Sequence, residues 1–328
     1  MRVLLTLALA FSFTVVRSQC DYTRADSVAS LYPRHSLKEV RCLVMKLTAP
    51  LPTEEEKFRA IFRWIANNIE NDYDLYLTNK HRRERTKDSA RLKEWNDHVS
   101  RVVFKELIEK QKTVCTGYAY LLKEMATLAG LTCVMVHGYG RTAKANIHGE
   151  GTPNHTWNAV KLHDHWYLCD ITWASGATDP SVHKYIKRFE PSYFLADPAV
   201  FIANHYPLDT ALALLPHKPA LSEFLNKPLI YAGAYRHHVT QLYPATFDVI
   251  AKEGETVSFR VGTQGNPTID KVELRINGVV PTFINYQPTI YHKDGVVCFD
   301  HRFDEKGEYA VNVLLNNDYV VAYSVNVQ

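Results

Sequence analysis

The chain has no apolar stretch long enough to cross a bilayer. Its longest, Val3 to Val16, spans 14 residues, against about 20 for a membrane helix. Neither sign of charge dominates: 38 Lys and Arg face 35 Asp and Glu, for a formal net charge of +3. That balance excludes the basic surface of a nucleic-acid binder and any strong attraction to an anionic membrane. There is no CxxC pair, and the close histidines His163, His165, His237 and His238 lack helical i,i+4 spacing. These are read as solvated loop residues, so no metal and no other cofactor is expected. Internal repeats and low-complexity tracts are also missing. Cysteine is sparse, with six in 328 residues, and a chain of this length has enough core to fold without a disulfide framework.

What is present begins with Met1-Arg2 ahead of the Val3 to Val16 run and a small residue, Ser18, after Arg17. This reads as an export signal over residues 1–18, giving a secreted or periplasmic protein. Its removal takes away Arg2 and Arg17 and lowers the charge from +3 to +1. Cys20 then lies near the new N-terminus. The preceding Val-Arg-Ser-Gln fits a lipid-anchoring site poorly, so free export stands ahead of it, and Cys20 with Cys42 is a candidate disulfide.

The rest divides into two parts, 19–219 and 220–328. In the first, Pro52-Thr53-Glu54-Glu55-Glu56 reads as a capping box, followed by a helical stripe of Phe58, Ile61, Phe62, Ile65 and Ile69. A second helix is expected from about Asp88 to Lys110, and strands from Leu131. The basic Arg82 to Arg85 run reads as one face of a solvated helix. This is an α+β pattern, helices packed on an antiparallel sheet. From about Ala220 short alternating runs are separated by turns such as Asn277-Gly278 and Lys306-Gly307, the pattern of an all-β immunoglobulin-like sandwich. With no catalytic cluster, it reads as a spacer, as a module for a protein or glycan partner, or as a stabilising partner for the first part. A chain ending near Lys227 is expected to keep its chemistry.

Three residues of the first part carry that chemistry. Cys115 opens a helix marked by Tyr118, Leu121, Leu122, Met125 and Leu128 and stopped by Gly130, where unpaired N–H groups stabilise a thiolate. Thr156 to Leu162 and Trp166 to Thr172 flank His163-Asp164 as a hairpin. With that turn, Leu162 faces His165 and Trp157 faces Asp170, so His155 and Asp170 lie diagonally on one face. Asp170 can then accept from one imidazole nitrogen and leave the other for the Cys115 proton. Cys133 and Cys169 fall in apolar strands and read as packed thiols, Cys169 pointing away from Asp170. Each residue alone has a bland reading, a packed Cys or a satisfied His; together they favour a thiol acyl-transfer site. A papain-like enzyme would place its His roughly 130–150 residues beyond the Cys, and a caspase-like one would place it upstream. Neither pattern occurs.

Cys115-Thr-Gly-Tyr-Ala, Gly138-Tyr-Gly-Arg141, Asn154-His-Thr-Trp-Asn-Ala-Val160 and Trp166-Tyr-Leu-Cys-Asp-Ile-Thr-Trp173, with Phe62 to Ile69 and Tyr73-Asp74 upstream, resemble the transglutaminase-like superfamily. Within it they resemble the branch of kyphoscoliosis peptidase and bacterial transglutaminase-like proteins, over about residues 50 to 210. The resemblance implies a papain/transglutaminase-like core. It makes Cys115 the nucleophile, His155 the general base and acid, and Asp170 its orienting partner. One departure is Thr113 in place of a common glycine; it is expected to cap the Cys115 helix. The resemblance also points to Tyr73 as an oxyanion donor beside the backbone N–H of Cys115. Trp157 and Trp173, next to His155 and Asp170, are candidates to line the substrate, and Gly138 to Asn154 a loop beside the site. The expected function is cleavage of, or transfer at, an amide bond of a protein or peptide through a thioester. Hydrolysis is placed ahead of transamidation, and a non-catalytic binding module is the rival from another class.

Overall fold

The computed structural model describes residues 21–86, 89–143, 145–146, 151–179, 184–265, 267–278 and 282–328. The expected export signal and Cys20 lie outside them. Helices α1 (Thr23–Ser30), α2 (Val40–Thr48) and α3 (Glu54–Asn68) open the chain. Thr53 fixes the start of α3: its hydroxyl accepts from Glu56 N at 3.1 Å, and Glu56 Oε2 returns to Thr53 N at 3.4 Å, the reciprocal cap expected of this run. The apolar stripe of α3 is buried from Phe58 to Ile65. Arg59, on the α1 side, reaches Asp26 with two bonds of 2.6 and 2.8 Å, under the rings of Tyr22, Phe189 and Phe194.

After α3, strand β1 (Glu70–Asn71) leads into α4 (Tyr73–Arg85), and α5 (Ser89–Lys110) leads into β2 (Lys112–Thr113). The two strands pair in parallel, Glu70 with Lys112 and Asn71 with Thr113. They fasten the start of α4 beside the start of α6 (Cys115–Leu128). The basic run to Arg85 closes α4. Helix α6 begins at the expected residue, but its cap differs from expectation. Val114 occupies the N-cap with no side-chain bond. Thr113 is committed to β2, and its buried hydroxyl points at Gly117, where an added Cβ would lie 1.9 Å away.

Helix α6 packs on an antiparallel sheet. Its strands are β3 (Thr132–Gly140), β4 (His155–Leu162) and β5 (His165–Cys169); a hairpin of β6 (Gly176–Asp179) with β7 (Lys184–Lys187) precedes the last strand, β8 (His205–Pro207). The spatial order is β5-β4-β3-β8. His163 and Asp164 turn at φ of 47° and 65°, the paired positive values of a tight hairpin turn. The register is the expected one, Leu162 opposite His165 and Asn158 opposite Cys169. The second strand is shorter than the sequence suggests. It stops at Cys169 because Asp170 caps a short helix, α7 (Ile171–Ser175), accepting from Thr172 N and Trp173 N.

Helices α8 (Pro198–Phe201), α9 (Leu221–Asn226) and α10 (Ala232–Arg236), with strand β9 (Leu229–Ile230), lead to the all-β region. Its strands are β10 (Val239–Tyr243), β11 (Asp248–Ala251), β12 (Glu255–Thr263), β13 (Val272–Asn277), β14 (Ile284–Tyr286), β15 (Tyr291–Lys293), β16 (Val296–Phe303), β17 (Gly307–Leu315) and β18 (Asp318–Val327). One sheet runs β10-β12-β16-β15 and the other β11-β18-β17-β13-β14, with β9 added to β18. Phe259 of the first, stacked on its neighbour Phe299, meets Tyr323 of the second in the space between them. One hydrophobic cluster extends from Ala25 through Ile230 and Tyr235 to Val327. Gly233 lets α10 approach β18 closely, since a Cβ there would stand 2.3 Å from Tyr319 O.

Candidate active site

Four elements meet at Cys115. Helix α6 presents the thiol at its first turn, where Gly117 N and Tyr118 N already bond to Val114 O and the two N–H groups before them are free of helical partners. Strand β4 presents His155, and the β5–α7 junction presents Asp170. Strand β3 supplies the floor: a Cβ on Gly140 would stand 2.9 Å from His155 Cβ, so the glycine leaves the imidazole its place. Gly138 is equally tight, a Cβ there meeting Tyr206 O at 2.1 Å and the Trp157 ring at 2.6 Å.

His155 Nε2 donates to Asp170 Oδ2 at 2.7 Å, which leaves Nδ1 as the other ring nitrogen. Cys115 is half-buried, with His155 and the main chain at Thr156 as its polar neighbours. Burial works against the thiolate, but His155, through its hydrogen bond and charge, brings the thiol below its ordinary range despite the opposing charge of Asp170. Burial likewise works against a charged imidazole. Asp170 overrides it by charge and hydrogen bond, with help from Cys115, and His155 is pushed up to about 10. Asp170 is fully buried. Burial there is outweighed by both histidines, above all His155, and its carboxyl stays well below the usual carboxylate range. The arrangement favours the thiolate–imidazolium form of the pair over that of a free thiol beside a free imidazole.

Three of the other described thiols, all buried, do not share this setting. Burial pushes Cys133 up to about 12, and raises Cys169 well above the ordinary thiol range. Cys298 is buried in β16. Among the other expected site residues, Trp173 is half-buried and stacks on His155 with ring centroids 5.2 Å apart. Trp157 is buried, 5.1 Å from the His205 ring. Tyr73 starts α4 and lines a cleft with Glu70, Asn71, Lys112, Tyr185 and Lys187. The expected site loop is tied back by its own side chains: Asn154 Oδ1 accepts from Gly140 N at 2.7 Å, and buried Arg141 donates to Asn146 O at 2.9 Å.

His205 escaped the sequence reading. It sits in β8 opposite Gly140, and its Nε2 lies 3.0 Å from Asp170 Oδ2. A lone His in a three-residue strand, distant in sequence from both motifs, offers no periodicity or spacing to single it out. Donor atoms of His155, Asp170 and His205 lie within 4.8 Å of one another, close enough to converge on a cation. Both ring nitrogens, however, already share one carboxylate oxygen as hydrogen-bond acceptor. The histidines at 163, 165, 237 and 238 are not part of this group.

Residues 41–171 match the family described as the transglutaminase-like superfamily. Kyphoscoliosis peptidase of Mus musculus is 30% identical over 248 residues, covering 72% of this chain and 35% of that protein. Its Homo sapiens counterpart is 32% identical over 206 residues, 62% of this chain and 28% of that one. Hillarin of Drosophila melanogaster is 24% identical over 242 residues, 69% and 27% of the two chains. The matches thus take in about a third of the length of these relatives. A crystal structure described as a TGase is 18% identical and covers 48% of this chain and 34% of that chain, with a TM-score of 0.29.

Proposed function

Since this is a transglutaminase-like superfamily protein, we propose that Cys115 is the nucleophile of a thiol acyl-transfer enzyme, with His155 as acid and base and Asp170 as its orienting carboxylate. The observation that carries the reading is the opposed perturbation of one contacting pair: the Cys115 thiol is lowered while His155 is pushed up to about 10. Perturbation of that kind, at a helix N-terminus and backed by a buried carboxylate, suits nucleophilic catalysis.

The thiolate forms a C–S bond to an amide carbon. The free N–H groups opening α6 face the developing oxyanion, and Tyr73 is the second donor in this reading. His155 then protonates the departing amine as the C–N bond breaks. Water, deprotonated by His155, attacks the thioester and releases the acid. Hydrolysis of a protein or peptide amide is placed first. An amine acceptor would make the same intermediate a transamidation.

The test is to incubate the full chain with an unstructured protein substrate, with and without a labelled primary amine. Peptide release without label incorporation supports hydrolysis; incorporation supports transfer. Loss of both in Cys115→Ala is expected. If neither occurs in the wild type while Cys115 remains reactive, the protein is a binding module and the catalytic reading falls.

A further inference from the structure

We propose that His205, held by Asn204 and Tyr235, is a positioning residue that fixes Asp170 for His155, so that the segment entering the C-terminal β region completes the site. The inference rests on the reading of Cys115 as nucleophile and adds a second histidine, with a hydrogen-bonded chain behind it.

The two oxygens of Asp170 are divided between different tasks. Oδ1 accepts main-chain N–H groups of Thr172 at 2.8 Å and Trp173 at 3.1 Å. Oδ2 faces His155 at 2.7 Å and His205 at 3.0 Å. The His205 ring is fully enclosed, stacked on Phe201 at 3.9 Å and packed at 4.4 Å from Trp173. Its titratable neighbours are Asp170, His155 and Tyr193. Tyr235 lies one step further out, and the Glu190–Arg236 ion pair beyond it. Tyr193 and Tyr235 are raised by burial and stay neutral.

His155 already supplies the cation that Asp170 needs. A second one on the same carboxylate would be a buried charge without a counterion, and burial pulls His205 down to about 4 against the attraction of Asp170. The neutral ring has one proton to place. A carboxylate only accepts, so the proton belongs on Nε2, and Nδ1 becomes an acceptor. The amide of Asn204 stands at Nδ1, with Oδ1 at 2.6 Å, while its Nδ2 has no partner. Turned over, the amide gives one N–H to Nδ1 and the other to Tyr235 Oη, which lies 2.8 Å from the same position. The turn satisfies the buried Asn204 Nδ2, and it leaves the Asn204 oxygen and the Tyr235 O–H without the partners they have now. Tyr235 belongs to α10, which packs on β18.

His205 thus donates to Asp170 without adding charge. Asp170 opposes a thiolate at Cys115, and a neutral donor on Oδ2 moderates that opposition and keeps the carboxylate aimed at His155. Without it, the thiol's pKa rises.

The experiment is the pH profile of Cys115 alkylation in the full-length protein, read by mass spectrometry, for wild type, His205→Phe, His205→Gln and Tyr235→Phe. His205→Phe is expected to raise the alkylation midpoint by about one unit, a tenfold slower reaction below it. His205→Gln, which keeps an amide N–H near the place of Nε2, should restore most of the difference; Tyr235→Phe should shift the midpoint the same way by less. In parallel, nitrogen-15 labelled histidine should show His205 as the neutral Nε2–H tautomer through the range where His155 is protonated. Should His205→Phe fail to fold, Tyr235→Phe and the tautomer decide. Superimposable profiles, or a doubly protonated His205, overturn this inference alone. A wild-type Cys115 with no low-pH reactivity would instead remove the nucleophile reading beneath it.

Discussion

Replacing Asp170 by Asn separates its structural task from its catalytic one. Asn keeps an oxygen for Thr172 N and Trp173 N, so the cap on α7 survives. At the other end an amide N–H now confronts ring nitrogens that had donated at 2.7 and 3.0 Å. The site is fully buried, and an unsatisfied donor there costs about 1–3 kcal/mol, which a domain of ordinary stability survives. The chemical cost is larger. Burial alone opposes a charged His155, and the charge of Asp170 is what pushes it up to about 10; without that charge the imidazolium is lost at neutral pH. Turnover should fall about four orders of magnitude, or ~5 kcal/mol. The stability difference between wild type and variant has a definite pH course. His155, raised in the fold, contributes fully below the ordinary imidazole pKa and loses its contribution as pH climbs towards about 10. Asp170, depressed in the fold, contributes above the ordinary carboxylate range and loses its contribution in acid. The difference should therefore be widest between about pH 4 and 6.5. Turnover on a confirmed substrate, thermal unfolding across pH and circular dichroism measure all three. A folded Asp170→Asn with wild-type turnover would refute the orienting role.

Gly140→Ala should keep the sheet but push His155 off its position, since the new Cβ falls 2.9 Å from the His155 side chain; a loss of about a hundredfold in turnover is expected, with unfolding temperature as the control. Asp26→Asn leaves the buried Arg59 guanidinium short of its 2.6 Å carboxylate partner and should lower stability by about 2 kcal/mol in a denaturant titration, without touching Cys115 reactivity. Ending the chain after Lys227 removes Tyr235, which shares the hydrophobic cluster of the first part, and should slow Cys115 alkylation; an unchanged rate would support the expectation of two independent modules.

Local signals were legible where one short stretch contained the whole cause. The Thr53–Glu56 box, the helix opened by Cys115 and the His163-Asp164 turn each follow from neighbours in sequence, and that turn alone fixes which face His155 and Asp170 share. The end of β5 was not legible, because an aromatic and β-branched run from Trp166 to Thr172 satisfies the strand pattern while the Asp170 side chain redirects the backbone into α7. Thr113 illustrates a different limit. Its helix-capping chemistry lost to the β1–β2 pairing, which depends on a segment some forty residues upstream. His205 and Tyr235 reach the site only through sheet order and through the packing of α10, neither of which any periodicity encodes.

The most direct measurement of the central claim is a limiting iodoacetamide titration of the native protein across pH, mapped cysteine by cysteine. Cys115 should react first and retain its rate below the ordinary thiol range, while Cys133, pushed up to about 12, and buried Cys169 and Cys298 stay unlabelled until unfolding. Equal or preferential labelling of any of those three, or a Cys115 rate that follows an ordinary free thiol, would contradict it.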